Sequence, residues 1–246
     1  MKIILSPAKK MREADDDLQA VSQPVFREQA ETLLQWMRSL SYDEAKALWG
    51  CSDRLARENY ERLQTMRIGT RQTPAILAYD GIAFQSMAPA VFDRDQLLYV
   101  QDHLRILSGF YGVLRPMDGV VPYRLEMQAK VQAAGIADLY EYWGRQLYDA
   151  VMDESRLVIN LASREYSRCI EKYLTKEDCF ITCVFGEQSG TGVVQKGVYA
   201  KMARGDMVRF MAEEGIETPE ALHGYDRMGY RWHEALSDEK NFVFVR

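Results

Sequence analysis

Apolar and polar positions alternate between two rhythms along this chain. Lys2–Leu5 is a short apolar run ended by Ser6-Pro7, so it predicts a β-strand that turns out where proline cannot continue. From Pro24 to Leu40, Phe26, Ala30, Leu33, Leu34 and Met37 recur at helical spacing. Ser41 with Glu44 three residues on is a capping box; the helix it opens runs to Trp49 and stops at Gly50. Ser52 or Asp53 then starts a third helix, reaching Met66. Pro74–Tyr79 predicts a strand, Asp93–Leu107 a helix, and 125–134 and 138–152 further helices. Leu157–Ala162 is almost wholly apolar, the pattern of a strand covered on both faces, and Arg164–Leu174 predicts the helix that follows. Cys179–Phe185 and Val193–Val198 predict a strand pair joined by the 186–192 turn region. An amphipathic helix over Tyr199–Glu214 and a terminal hairpin (Met228–Glu234 with Asn241–Arg246) close the pattern. This is a mixed α/β (α+β) protein. With no internal repeat, low-complexity tract or linker, one domain over 1–246 is the economical reading.

The stretch His103–Met127 fits neither rhythm. It carries Gly109, Gly112, Pro116, Gly119 and Pro122, too many for a core helix, yet Ile106, Leu107, Phe110, Val113 and Leu114 are too apolar for a solvent loop. Arg105, Arg115 and Arg124 punctuate it. Two readings stand side by side: a buried connector whose arginines meet internal carboxylates, or a wall that presents guanidinium groups to an anion.

Composition narrows the class. Hydrophobic content of 47% and charged content of 27% fit a globular protein with a real core. Ile3–Leu5 is shorter than the ~7–15 apolar residues of a signal peptide. No run approaches the ~18 that span a bilayer, so no membrane partner and a cytoplasmic location are expected. Four cysteines in that setting favour reduced thiols. Cys179 and Cys183 on one strand would stand ~13 Å apart, too far for one zinc ion with ~2.3 Å sulfur bonds. Neither a metal nor a cofactor is expected. The net charge of −5 argues against general polyanion binding, so any nucleic-acid contact must use a local basic surface.

Several positions could supply such a surface. Lys9 follows the first strand in a polar loop. Asn160, Ser163 and Arg164 sit where a strand turns into a helix N-terminus, a geometry that suits anions, although Ser163 could simply cap its own helix. Lys201 and Arg204 share a helix face, and between Lys196 and Arg209 only Asp206 opposes four cations. The 41–66 hairpin, with Gly50, Ser52, Asp53, Arg54 and Arg57 at its turn, has the outline of a helix-hairpin-helix that docks on phosphates. Its cations are matched one for one by acids, so a plain αα-hairpin accounts for it as well.

Seven ordered segments then carry a resemblance that covers nearly the whole chain. They are Ser6-Pro7-Ala8-Lys9, Ser52-Asp53 with Leu55-Ala56, LRILSGFYGVLRPMD with PYRLEM, LYEYWG, VINLAS with Glu165-Tyr166, YAKMARG, and Gly229-Tyr230. Together they resemble the YaaA family of bacterial peroxide-stress proteins. The resemblance implies a single domain of unusual topology with a positively charged cleft and a helix-hairpin-helix. It also implies binding of double-stranded and branched DNA, and a cellular effect of lowering reactive iron. Carried onto this sequence, the matching cations are Lys9, Arg105, Arg115, Arg124, Lys201 and Arg204. The expectation is a cytosolic stress protein holding DNA non-specifically in that cleft. The alternative is an enzyme acting on a nucleotide-like or phosphorylated small molecule there, with Glu126 as proton acceptor and Tyr123 and Ser6 among its polar groups. Direct iron handling, with no His/Cys/carboxylate cluster to support it, ranks last.

Overall fold

The computed structural model describes residues 1–13, 18–70, 72–131, 137–190 and 192–246. From the amino end come β1 (Lys2–Leu5), α1 (Arg27–Ser39), α2 (Tyr42–Trp49), α3 (Asp53–Thr65), β2 (Thr73–Pro74), α4 (Ala75–Ala78), α5 (Ile82–Met87) and α6 (Arg94–His103). Next are β3 (Leu104–Ser108), β4 (Gly112–Leu114), β5 (Gly119–Val120), α7 (Leu139–Trp143), α8 (Gln146–Val151), β6 (Leu157–Leu161) and α9 (Arg164–Glu171). The last third holds β7 (Cys179–Ser189), β8 (Gly192–Val194), α10 (Gly197–Glu214), β9 (Asp226–Arg227), β10 (Tyr230–Trp232) and β11 (Asn241–Val245).

One mixed sheet organises the chain, in the order β4-β3-β1-β6-β7-β11-β10-β9. β3, β1, β6, β7 and β11 run parallel, with Ile3 opposite Leu104 on one side and Ile159 on the other. β1 and β6 are its centre, which explains their unbroken apolar runs: Ile3, Ile4, Val158, Ile159 and Leu161 are all fully buried. β4 and β10 add antiparallel pairs towards the two edges. α10 packs against α5, α6 and β7, and α8 packs on α9 and β4. Gly205 makes the α10–α5 approach possible, because a Cβ there would stand 1.8 Å from the carbonyl oxygen of Ala83.

The helical hairpin matches its sequence signals. Ser41 Oγ accepts from the Glu44 amide while Glu44 accepts from the Ser41 amide, and Gly50 ends α2 in the left-handed region at φ 53°. Other expectations need correction. Pro74–Tyr79 is not a strand: Ala75–Ala78 coil into a short buried helix, because the Ala75 and Ile76 amides are taken by the carbonyls of Asp118 and Pro116. The helix expected to reach Leu107 stops at His103, and Leu104–Ser108 becomes β3, drawn into the ladder beside β1. A short run of Leu and Ile satisfies either period, and tertiary pairing decided it. The 125–134 helix is absent from 125–131, and its remainder lies outside the described residues. Gly144 splits the 138–152 helix into α7 and α8. β7 runs on to Ser189 and pairs with β8 there, so Gln195–Val198 are not strand and α10 begins at Gly197.

Candidate functional site

The chain leaves β1 for β3 on one side and later enters β6 on the other, so strand order reverses at β1 and β6. In open α/β sheets ligands bind in the crevice beyond the carboxyl ends of strands at such a reversal. Here those ends carry Ser6, just after β1, and Ser163, just after β6. The Ser163 amide donates to Ser6 Oγ at 2.8 Å, and the two hydroxyls meet at 3.1 Å. Ser163 therefore does not cap α9 with its side chain; it is tied across the crevice floor to β1.

A cavity of about 360 Å³ opens at this point. Its walls come from the Ser6–Lys10 loop, the Asp80–Phe84 turn into α5, the 123–126 segment, the start of α9 and the first half of α10. Most of the lining is apolar, with Pro7, Ile82, Phe84, Leu125 and Tyr166 among it. The charged groups are Lys9, Lys10, Arg124, Lys201 and Arg204 against Asp80, Glu126 and Glu165, an excess of positive charge on a molecule that is negative overall.

Three of the cations are paired. Lys9 Nζ lies 2.8 Å from Glu126 Oε2, Arg124 Nη2 lies 3.3 Å from Glu126 Oε1, and Lys10 meets Asp80. Glu126 is thus a bridge between two cations on different loops, a different position from that of a free proton acceptor. Lys201 and Arg204, by contrast, face no carboxylate partner among the described residues. Arg204 Nε is buried with no hydrogen-bond partner there, as is Arg124 Nε. Burial lowers the Arg204 pKa, the cost of holding an uncompensated guanidinium out of water. Glu165 has the opposite problem: burial pushes its carboxyl pKa up, and the nearby Glu126 charge adds to the rise. The Gln128 amide, 3.3 Å away, offsets part of it.

Of the nine anion-binding candidates, the fold brings Lys9, Arg124, Ser163, Lys201 and Arg204 to this crevice. The other four do not line it. Arg105 turns back on α6 and donates to the carbonyls of Gln101 and Leu104, an ordinary way to close a helix C-terminus. Arg115 stands 3.7 Å from the buried Asp118. Asn160 is a structural residue, its Oδ1 accepting from the Ala162 amide and its Nδ2 donating to Thr182. Arg164 is exposed at the start of α9. At the hairpin turn, Lys46 and Arg57 both pair with Asp53, and Arg54 pairs with Glu58, so those cations are turned onto their own acids. Sequence reasoning missed Lys10, Asp80 and Glu165 as site residues. Asp80-Gly81 and the Ser163–Glu165 strand-to-helix junction were the available signals.

The family model described as "Peroxide stress protein YaaA" matches residues 1–236. The chain belongs to the YaaA peroxide-stress family. Among curated relatives it is 57% identical to a UPF0246 protein of Agathobacter rectalis, covering 100% of this chain and 99% of the relative. It is 52% identical to a UPF0246 protein of Lachnoclostridium phytofermentans, covering 100% and 96%. Among the described residues no group of three or more His, Cys, Asp or Glu side chains is placed to hold a metal ion. No helix is long and apolar enough to cross a membrane.

Proposed function

We propose that this YaaA-family chain serves the peroxide-stress response by binding a phosphate-bearing ligand of nucleotide size in the crevice beyond β1 and β6. The observation that carries this reading is Arg204, a half-buried arginine whose Nε is buried and unpartnered, which lines the cavity beside the exposed Lys201, likewise without a carboxylate partner among the described residues. A buried charge without a counter-ion is costly, and an incoming phosphate would supply one. The volume of about 360 Å³ and the largely apolar lining suit a small molecule better than a duplex. The test is thermal stability of the full chain against inorganic phosphate and a panel of nucleotides. A rise in the unfolding midpoint with ligand concentration supports the reading, and no rise with any of them refutes it.

A second reading keeps the DNA partner. Lys9 and Lys10 have side chains 67% and 76% exposed, and with the exposed Lys201 they could meet the backbone of double-stranded or branched DNA at the crevice mouth. Occupying DNA in this way would limit iron-driven damage to it. Such binding is sequence-independent and falls by about 0.9 log units per log unit of salt for each phosphate neutralised. Duplex affinity that is absent at low salt, or unchanged at high salt, would remove the DNA reading while leaving the small-ligand reading in place.

A further inference from the structure

His103, the last residue of α6, meets two acceptors at once. Its Nδ1 lies 2.9 Å from the Met1 carbonyl oxygen, and its Nε2 lies 3.2 Å from Glu217 Oε1. A carbonyl and an ionised carboxylate can only accept, so each ring nitrogen has to bring a proton. A neutral imidazole has one proton for the two contacts and turns a bare lone pair on the other acceptor. Only the imidazolium satisfies both. The imidazole side chain is 14% exposed and the Glu217 side chain 63%, so the ring is held in place while the carboxylate is free to leave. Tyr99, one turn earlier in α6, stacks on the ring at 4.3 Å between centroids, and its hydroxyl donates to the Ile216 carbonyl. Tyr99 and His103 thus grip consecutive residues just past Gly215, the left-handed residue that ends α10.

We propose that His103 is a pH-sensitive clasp, which in its charged form fastens the turn after α10 to the end of α6 and the start of β1, and in its neutral form releases Glu217. The setting favours a cation there: the ring closes the last turn of α6, at the negative end of the helix dipole, and lies against the face of Tyr99. The other charges around it are engaged elsewhere. The Met1 amino group and Lys2 both turn to Asp153, Lys2 also donates to the Asp102 carbonyl, and Arg105 donates to the carbonyls of Gln101 and Leu104. Among the described residues Glu217 is the one carboxylate paired with the ring. Because the contact needs the proton, its stabilisation is full below the ordinary histidine range of about 6.5 and is lost as pH rises through it. The clasp joins the far ends of two crevice elements: α10, whose first half carries Lys201 and Arg204, and β1, which delivers Ser6. It does not depend on what the crevice binds.

The experiment is a double-mutant cycle on the full chain, with wild type, His103→Gln, Glu217→Gln and the double variant unfolded in urea at pH 5.5 and at pH 8.0. The cycle cancels every titration the four proteins share. At pH 5.5 Glu217→Gln should lower the folding equilibrium constant about threefold in the wild-type background, the scale of a partly exposed ion pair, and leave it unchanged beside His103→Gln. At pH 8.0 it should have no such effect in either background. Amide hydrogen exchange gives a local reading that needs no variant at His103. The Ile216 amide, bonded to the Met211 carbonyl, should be protected about threefold better at pH 5.5 than at pH 8.0 once intrinsic exchange rates are divided out, and Glu217→Gln should erase that difference. A coupling of equal size at the two pH values, no coupling at pH 5.5, or Ile216 protection that does not change with pH overturns the clasp.

Discussion

Replacing Arg204 by methionine separates the demands of folding from those of binding. The guanidinium lines the crevice with its Nε buried and unpartnered, and Cys183 is the one group that favours its charged form. Exchanging a buried charge for an apolar side chain of similar length is often stabilising, by about 1–4 kcal/mol. Taking about 2 kcal/mol, the unfolding midpoint of a chain this size should rise by about 4–8 °C in the absence of ligand. Phosphate reverses the order. At about 100 times its dissociation constant a ligand stabilises the protein that binds it by about 2.7 kcal/mol. The wild type should gain that increment, and Arg204→Met should gain almost nothing. The assay is urea unfolding of both proteins with and without inorganic phosphate, followed by circular dichroism. A variant that is less stable than wild type without phosphate, or one that gains as much from phosphate, would show that Arg204 serves packing rather than an anion.

Three further outcomes follow from the geometry. Gly205→Ala places a methyl group 1.8 Å from the Ala83 carbonyl, so α5 and α10 must separate; a loss of about 1–3 kcal/mol in urea unfolding is expected, with weaker phosphate binding as the crevice walls part. Glu165 has a folded pKa raised above the ordinary 4.5, so the native state holds its proton more tightly than the unfolded chain and stability falls as pH climbs from about 4.5 through the raised value. Glu165→Gln removes that fall: the urea midpoints of variant and wild type, close at about pH 4, should diverge in the variant's favour towards neutrality, and parallel profiles would contradict the assignment. Ser41→Ala removes the acceptor of the Glu44 amide at the start of α2 and should cost about 1 kcal/mol, read from the same unfolding curves, without touching ligand affinity.

What the sequence disclosed follows the range of the forces involved. Ser41, Glu44 and Gly50 act within one turn of their own helix, and the structure has them doing what their spacing implies. β1 and β6 were legible because central parallel strands are apolar at nearly every position. Leu104–Ser108 and Ala75–Ala78 were not legible, because partners far along the chain decided them: β1 for the first, the Pro116 and Asp118 carbonyls for the second.

The site is non-local throughout. Lys201 and Arg204 reach the Ser6–Lys10 loop only because α10 lies against α5, and α10 lies there only because position 205 has no side chain. Arg105 and Arg204 look alike in sequence, each an arginine a helical turn away from another polar or charged neighbour. In space the first closes a helix with carbonyls supplied by its own segment, whereas the Nε of the second finds no carbonyl or carboxylate at all among the described residues. Arginine content alone does not mark an anion site; an arginine whose hydrogen bonds the fold leaves unmet does.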